Sequence, residues 1–347
     1  MLEIILQEME GLSLGEKRTL IDATKAAVAR ELGREAAGSA PVACPWCGSA
    51  AFIRKGHNAD GSQRWLCKGC GRTFSAKSRG LLAASKLDAA TWGAFVESTL
   101  TGRSLRECAR DCHVCLRTSW FMRMRLCEVM ARSVLPFRTG PSVSWQVDGT
   151  YLDESLAGNR SRSAAGMPRR PHGHGGAVHA RGISNLKVCV VCGANDAGDE
   201  FCRLADRGRP TDEALRRALA DLGAGTWVAT DAHRGYGRVL PALGIAEHAA
   251  TDSRLQRDGE LGMVNALHQR LSIFLAGFHG VSTKWLDHYL SWFVWLEQAR
   301  RSDADRLRTL SGQAAAGSYE NTRRQLIERP QPFWDYWERK RATSKVV

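Results

Sequence analysis

The apolar positions of this chain change period about two-fifths of the way along, and that change divides it. Residues 12 to 32 place Leu12, Ile21, Val28 and Leu32 among alanines and charges, at spacings that suit a helix closed by Gly33. Residues 81 to 135 are again helical in pattern. Ser104 with Glu107 three residues later reads as a capping box, and residues 112 to 116 make a break. A second helix then runs from Thr118 to Met130, with Trp120, Phe121, Met124 and Cys127 sharing one core-facing side. After Pro136 the pattern becomes strand-like and helical by turns. Val143 to Asp148, Leu186 to Val191, Glu200 to Leu204, Trp227 to Thr230 and a short run near Ile245 to Ala249 read as strands. Helices are expected from Thr211 to Leu222, from about 259 to 277 and from Ser282 to Arg300. The second half is therefore α/β. Beyond 301 the chain is a basic tail, broken by Pro330 and Pro332 ahead of Phe333, Trp334 and Trp337.

Between the helical stretches lies a segment with its own chemistry. Cys44 and Cys47 form one Cys-x-x-Cys pair, and Cys67 and Cys70 form another after 19 intervening residues. A Cys-x-x-Cys turn presents two thiolates on one side of a loop, and two such turns complete a tetrahedral zinc site. Disulfides in a secreted chain are the competing reading. Gly48 and Gly71 follow the pairs, and Trp65 and Phe74 supply a small apolar backing. A zinc ribbon is expected from 41 to 78, with one structural Zn²⁺. Its exposed cations, Arg54, Lys55, Arg64, Lys68 and Arg72, point to nucleic acid. Cys112 and Cys115 copy the ligand spacing without a second pair, so core thiols are expected there.

Composition sharpens this. The formal charge of +13 and the pI near 9.5 favour a polyanionic partner. The charge is clustered: residues 155 to 195 hold no acid but carry Arg160, Arg162, Arg169, Arg170, Arg181 and Lys187. That segment reads as a loop clamping a DNA backbone, with Arg169 and Arg170 as contacts; a metal site built from His172, His174 and His179 is the weaker alternative, because no acid accompanies them. The two helices around 112 to 116, with Arg117, Arg123 and Arg125 on the second, read as a helix-turn-helix, against which stands a plain helical hairpin. No apolar run reaches membrane-spanning length. Unpaired cysteines and the lack of a basic, apolar leader fit a cytoplasmic, nucleoid-associated protein.

Two aspartates, Asp148 and Asp231, close separate expected strands 83 positions apart. Carboxylates converging at one sheet edge are what two-metal phosphoryl transfer needs, with Mg²⁺ or Mn²⁺ as the ions. A third ligand is expected from the helix near 260. Asn265 carries His268, Gln269 and Ser272 on its face, at i+3, i+4 and i+7. Glu260, five positions earlier, lies about 140° away around a continuous helix. Both cannot enter one pocket unless the helix begins after Glu260. An amide at the edge of the stripe formed by Leu261, Val264, Leu271 and Leu275 is the bland reading of Asn265.

These residues resemble bacterial insertion-sequence transposases of the ISXO-two-like branch, insertion-sequence family fifteen-ninety-five. The resemblance runs through the ribbon from Gln63 to Phe74, through Thr118-Ser119-Trp120, Val147-Asp148-Gly149-Thr150-Tyr151 and Thr230-Asp231-Ala232. It is most specific in Val264-Asn265-Ala266-Leu267-His268-Gln269-Arg270-Leu271 and in the run from Phe278 to Leu286. It implies an RNase H-like mixed-sheet core in which Asp148, Asp231 and Asn265 bind the metals, with His268 and Glu260 as supporting candidates. It also implies a protein that binds terminal inverted repeats, hydrolyses a phosphodiester and transfers the freed 3′-hydroxyl to target DNA, as a homodimer or larger assembly. The family usually has Glu where this chain has Gly149, and often a Lys where it has Ser272. Arg270 or Lys284 would have to replace that cation near the phosphate. The rival is a transposase-derived DNA-binding regulator without catalysis. The expected layout is an N-terminal helix in 1–40, the ribbon in 41–78, the helix-turn-helix in 81–135, the catalytic domain in 140–300 and the tail in 301–347.

Overall fold

The computed structural model describes residues 2–37, 41–59, 61–83, 85–157, 182–245, 247–251, 261–302, 305–317, 319 and 321–344. Two compact units emerge: Met1–Ser133 with Ala304–Arg324, and Val134–Asp303 with Gln325–Val347. The region expected to be one basic tail is thus shared, its first part belonging to the first unit and its end to the second.

The first unit opens with α1 (Leu2–Glu10) and α2 (Leu14–Ala37). Gly33 does not end α2. Glycine inside a helix costs only about 1 kcal/mol relative to alanine, and Arg34, Glu35, Ala36 and Ala37 all favour helix. The ribbon follows as a three-stranded antiparallel sheet of β1 (Phe52–His57), β2 (Gln63–Cys67) and β3 (Thr73–Phe74). Phe74 is its apolar centre: Trp65 stacks on it at 6.0 Å and Phe52 meets it edge-on at 5.3 Å. Then come α3 (Ala89–Leu100), α4 (Leu105–Asp111) and α5 (Leu116–Ser133). The capping box at α4 is present, with Ser104 and Glu107 each accepting the other's backbone N–H.

Helix α5 departs from a one-sided core pattern. From Met122 to Met130 it is buried all round, Arg123, Arg125 and Glu128 included. Arg125 donates to the carbonyls of Leu81 (2.8 Å), Ala83 (3.1 Å) and Gly80 (3.2 Å). Arg123 donates to Arg103 O at 2.8 Å and to Cys108 Sγ at 3.2 Å. Buried guanidinium groups are tolerated when carbonyl oxygens accept their N–H hydrogen bonds.

The second unit is built on a five-stranded sheet of β4 (Ser144–Asp153), β5 (Lys187–Asn195), β6 (Glu200–Arg207), β7 (Trp227–Asp231) and β8 (His248–Thr251), in spatial order β6-β5-β4-β7-β8. The first three strands form an antiparallel meander; β7 joins β4 in parallel and β8 joins β7 in parallel. Between them lie α6 (Asp212–Leu219), capped by Thr211 as expected, and α7 (Arg234–Ala242). After β8 come α8 (Gly262–Ala276), a 3₁₀ turn at Thr283–Trp285 and α9 (Leu286–Arg301). The tail adds α10 (Arg306–Ala316), α11 (Arg323–Glu328) and α12 (Trp334–Ser344).

Period-two alternation sorts the strands between two cores. Trp145 and Val147 of β4 pack with Cys189, Val191, Leu215, Leu219, Val239 and Leu240 on the α6–α7 face. Val188, Val190, Cys192 and Ala229 pack with Val264, Leu267, Leu271, Leu290 and Phe293 on the α8–α9 face. The tail's aromatic cluster is structural: buried Trp337 donates its indole N–H to Glu154 Oε1 at 3.1 Å, and Arg207, ion-paired to Glu154, lies over the Trp337 ring. Among the described residues no helix is long and apolar enough to cross a membrane.

Candidate active site and metal centre

Both cysteine knuckles close in the same way. The N–H of Gly48 returns to Cys44 O at 2.9 Å, and that of Gly71 to Cys67 O at 3.0 Å. Both glycines sit at positive φ, 75° and 69°, where a side chain would be strained. The four sulfurs lie within 4.8 Å of one another, with Cys44 to Cys70 at 3.7 Å and Cys47 to Cys67 at 3.6 Å. A tetrahedron with Zn–S bonds of about 2.3 Å has sulfur–sulfur edges near 3.8 Å, so the donor set fits zinc. Within the cluster the Cys67 thiol is held down to about 6, chiefly by the backbone N–H of Cys70, whereas Cys47, despite the Ser49 N–H, is pushed up by the neighbouring sulfurs, so the metal-free sulfurs share their protons. Cys112 is buried, and Cys115 holds Thr118 Oγ1 at 3.2 Å; neither joins the cluster.

Strand β4 does not stop at Asp148. Its pairing with β5 continues to Asp153, whereas its parallel pairing with β7 ends at Val147 opposite Thr230. Asp148 and Asp231 follow at the next rung, side by side where the two parallel strands part. They share the face of Gln146 and Ala229, which is the α8 side. The Asp148 carboxyl is pushed up to about 6, first by burial and then by the charge of Asp231; the Gly149 N–H, 2.7 Å from Oδ1, opposes the shift. Asp231 Oδ1 in turn accepts the N–H of His233 at 3.3 Å.

From α8, His268 reaches this pair, its Nδ1 3.9 Å from Asp148 Oδ2. Burial lowers the imidazole to about 4, so at neutral pH it is uncharged and the approach is not an ion pair. Its Nε2 is buried and has no hydrogen-bond partner among the described residues. Asn265, one turn before His268, is exposed. Two hard carboxylates on one face suit divalent cations, and the unpartnered His268 nitrogen beside them is open to a further polar group. Helix α8 starts at Gly262, so the angular objection to Glu260 no longer applies; Glu260 itself lies outside the described residues, as do Arg169, Arg170 and the three histidines of the basic segment.

Several expected contacts are corrected. Arg123, Arg125 and Lys284 are buried and cannot meet DNA phosphates. Lys284 donates to Ile327 O at 2.6 Å. Arg270 is bound to Glu200 at 2.6 Å and Glu297 at 3.0 Å, so neither residue is the free cation sought near the carboxylates. Arg54, Lys55, Arg64, Lys68, Arg72 and Arg117 are exposed. A side chain at Gly149 would point to the opposite face from Asp148, 3.2 Å from Cys189 Sγ, and Ser272 Oγ donates to His268 O at 2.8 Å. Gln146, which sequence reasoning passed over, accepts the N–H groups of Met263 and Val264.

The carboxylate pair carries a stability cost. A carboxyl raised from 3.8 to about 6 destabilises the fold as pH rises through that window, and the cost persists above it. At 1.36 kcal/mol per unit it amounts to about 3 kcal/mol for a group this buried. Asp148→Asn should therefore stabilise the metal-free protein at pH 7.5, by an amount that shrinks toward pH 5. Urea melts at the two pH values measure it, and a gain equal at both would refute the coupling.

Residues 38–71 match the family model described as the InsA N-terminal domain, a zinc ribbon. No curated protein matches the chain. A crystal structure of a pre-cleavage Mos1 transpososome is similar at 11% identity, covering 66% of this chain and 80% of that one with a TM-score of 0.24, a likeness too loose to carry an argument. What the comparisons assign is the ribbon, of a kind found in InsA.

Proposed function

We propose that this chain is an insertion-sequence DNA transposase with an RNase H-like catalytic core. The observation that carries the reading is the placement of Asp148 and Asp231 at adjacent positions of parallel strands, on the face covered by α8, where burial and then the charge of Asp231 raise the Asp148 carboxyl. The sheet order, an antiparallel meander whose first strand is central and is extended by two parallel strands, supports the same core. The InsA-type ribbon supports a DNA-binding protein of insertion sequences.

Asp148, Asp231 and Asn265 would hold two Mg²⁺ or Mn²⁺ ions, with Glu260 the alternative third ligand. Such a pair supplies activation of the attacking oxygen and stabilisation of the leaving one. Asp148 must be deprotonated to take part, so cations compete with its raised proton affinity and bind more tightly as the pH rises. Asn265 offers a neutral amide oxygen, leaving two formal charges against two dications, and the substrate phosphate must complete the balance. Neutral His268 can donate a hydrogen bond to a phosphate oxygen without competing for the cations. The exposed ribbon cations and the start of α5 at Arg117, taken with α4 as a helix-turn-helix, would bind the terminal inverted repeats, so affinity should fall steeply with salt. Gly149 stands away from the carboxylate face, so it does not argue for a catalytically silent relic.

The test is a strand-joining assay with purified protein, Mg²⁺ and a plasmid carrying the inverted repeats that flank the gene. Joined products bearing the element's 3′ ends support the proposal. Specific end binding with neither cleavage nor joining would replace it with the regulator.

A further inference from the structure

We propose that Gln146 is a positioning residue that fixes the start of α8 over the carboxylate pair. The inference rests on reading Asp148, Asp231 and Asn265 as the metal-binding set. Helix α8 begins without a cap of its own: its N-cap residue is Leu261, whose side chain accepts no hydrogen bond. The N–H groups a capping side chain would normally take are those of the second and third helical residues. Here these belong to Met263 and Val264, and both go to Gln146 Oε1, at 2.7 and 3.2 Å, from a strand more than a hundred residues away.

The geometry makes this more than a remote cap. Gln146 and Asp148 are two residues apart on β4 and therefore point to the same face. One short run of backbone thus holds both the helix anchor and a carboxylate, and a change in one is felt at the other. Asn265 and His268 follow the anchored turn directly. A slip of one residue would swing both by about 100° and carry His268 away from Asp148, which its Nδ1 now approaches to 3.9 Å. Buried Val264 and Leu267 hold the helix against the sheet, but apolar packing resists sliding less sharply than two directed hydrogen bonds. The amide also suits the place. A carboxylate would complement the helix N-terminus, yet it would put a third negative charge on the face that holds Asp148 and Asp231.

Gln146→Leu and Gln146→Glu separate the roles. In Gln146→Leu, amide exchange across residues 261 to 268 should rise at least tenfold, with exchange in β5 and α9 unchanged. The cleavage kcat should fall at least tenfold, while KM for the DNA end stays within twofold. Gln146→Glu keeps an acceptor and should restore the protection of Met263 and Val264. Wild-type exchange in Gln146→Leu would overturn the proposal. So would a Gln146→Glu variant as unprotected as Gln146→Leu, or a uniform loss of protection through the whole unit. Exchange needs no catalysis: if the wild-type chain cleaves nothing, the transposase reading fails, and the exchange data still decide whether Gln146 anchors α8.

Discussion

Asp231→Asn should abolish end cleavage, by at least about three decades in rate, since several kcal/mol of transition-state charge stabilisation is at stake. Asp148→Asn should do the same, because either amide removes charge that the two cations need. Neither variant should weaken binding to the element's ends, for both side chains lie in the second unit and the ribbon and α5 in the first. Asn265→Ala should also cleave nothing while binding normally, and Asn265→Glu should tighten Mg²⁺ binding by adding a carboxylate. Glu260→Gln should then be nearly silent. A dead Glu260→Gln beside an active Asn265→Ala would transfer the third ligand to Glu260, an outcome that α8 starting at Gly262 permits.

The second large effect concerns the ribbon. Cys67→Ser with Cys70→Ser should reduce bound zinc from one per chain to none and unfold residues 41 to 78 locally. The apolar centre of the ribbon amounts to Phe74 with Phe52 and Trp65 against it, too little to hold a segment of this size without metal. End binding should be lost with it, whereas the sheet of the second unit stays folded. Metal analysis and the near-ultraviolet signal of Trp46 and Trp65 measure this; retention of one zinc per chain by the double variant would refute the ligand set.

How far the sequence carried these arguments depended on whether the signal was local. The knuckles, the Ser104–Glu107 box and the Thr211 cap are formed by residues a few positions apart, and each was legible. The strands were legible from their apolar runs, but the extent of β4 was not: Asp148 looks terminal by its neighbours and is mid-strand only because β5 continues to pair beyond it. Helix α7 was missed because Gly235, Gly237 and Pro241 dilute its pattern. Helix α1 was missed as well; its apolar Ile4, Ile5 and Leu6 are exposed, so they signal no core. Arg123 and Arg125 were read as surface cations because long charged side chains seldom lie inside. Their carbonyl partners come from as far as Leu81 and Asn321, which no helical wheel reveals. Gln146 belongs to the same class, since an amide in a strand has no motif and its partners lie across the fold.

Counting Mn²⁺ on the protein bound to a pre-cleaved DNA end decides whether Asp148 and Asp231 together hold two catalytic cations. Two ions per active site are expected at pH 7.5, with weak binding without DNA, and affinity that falls as the pH is lowered and the proton competes for Asp148. Asp148→Asn and Asp231→Asn should each lose both ions. Undiminished Mn²⁺ binding in the Asp148→Asn, Asp231→Asn double variant would contradict the account.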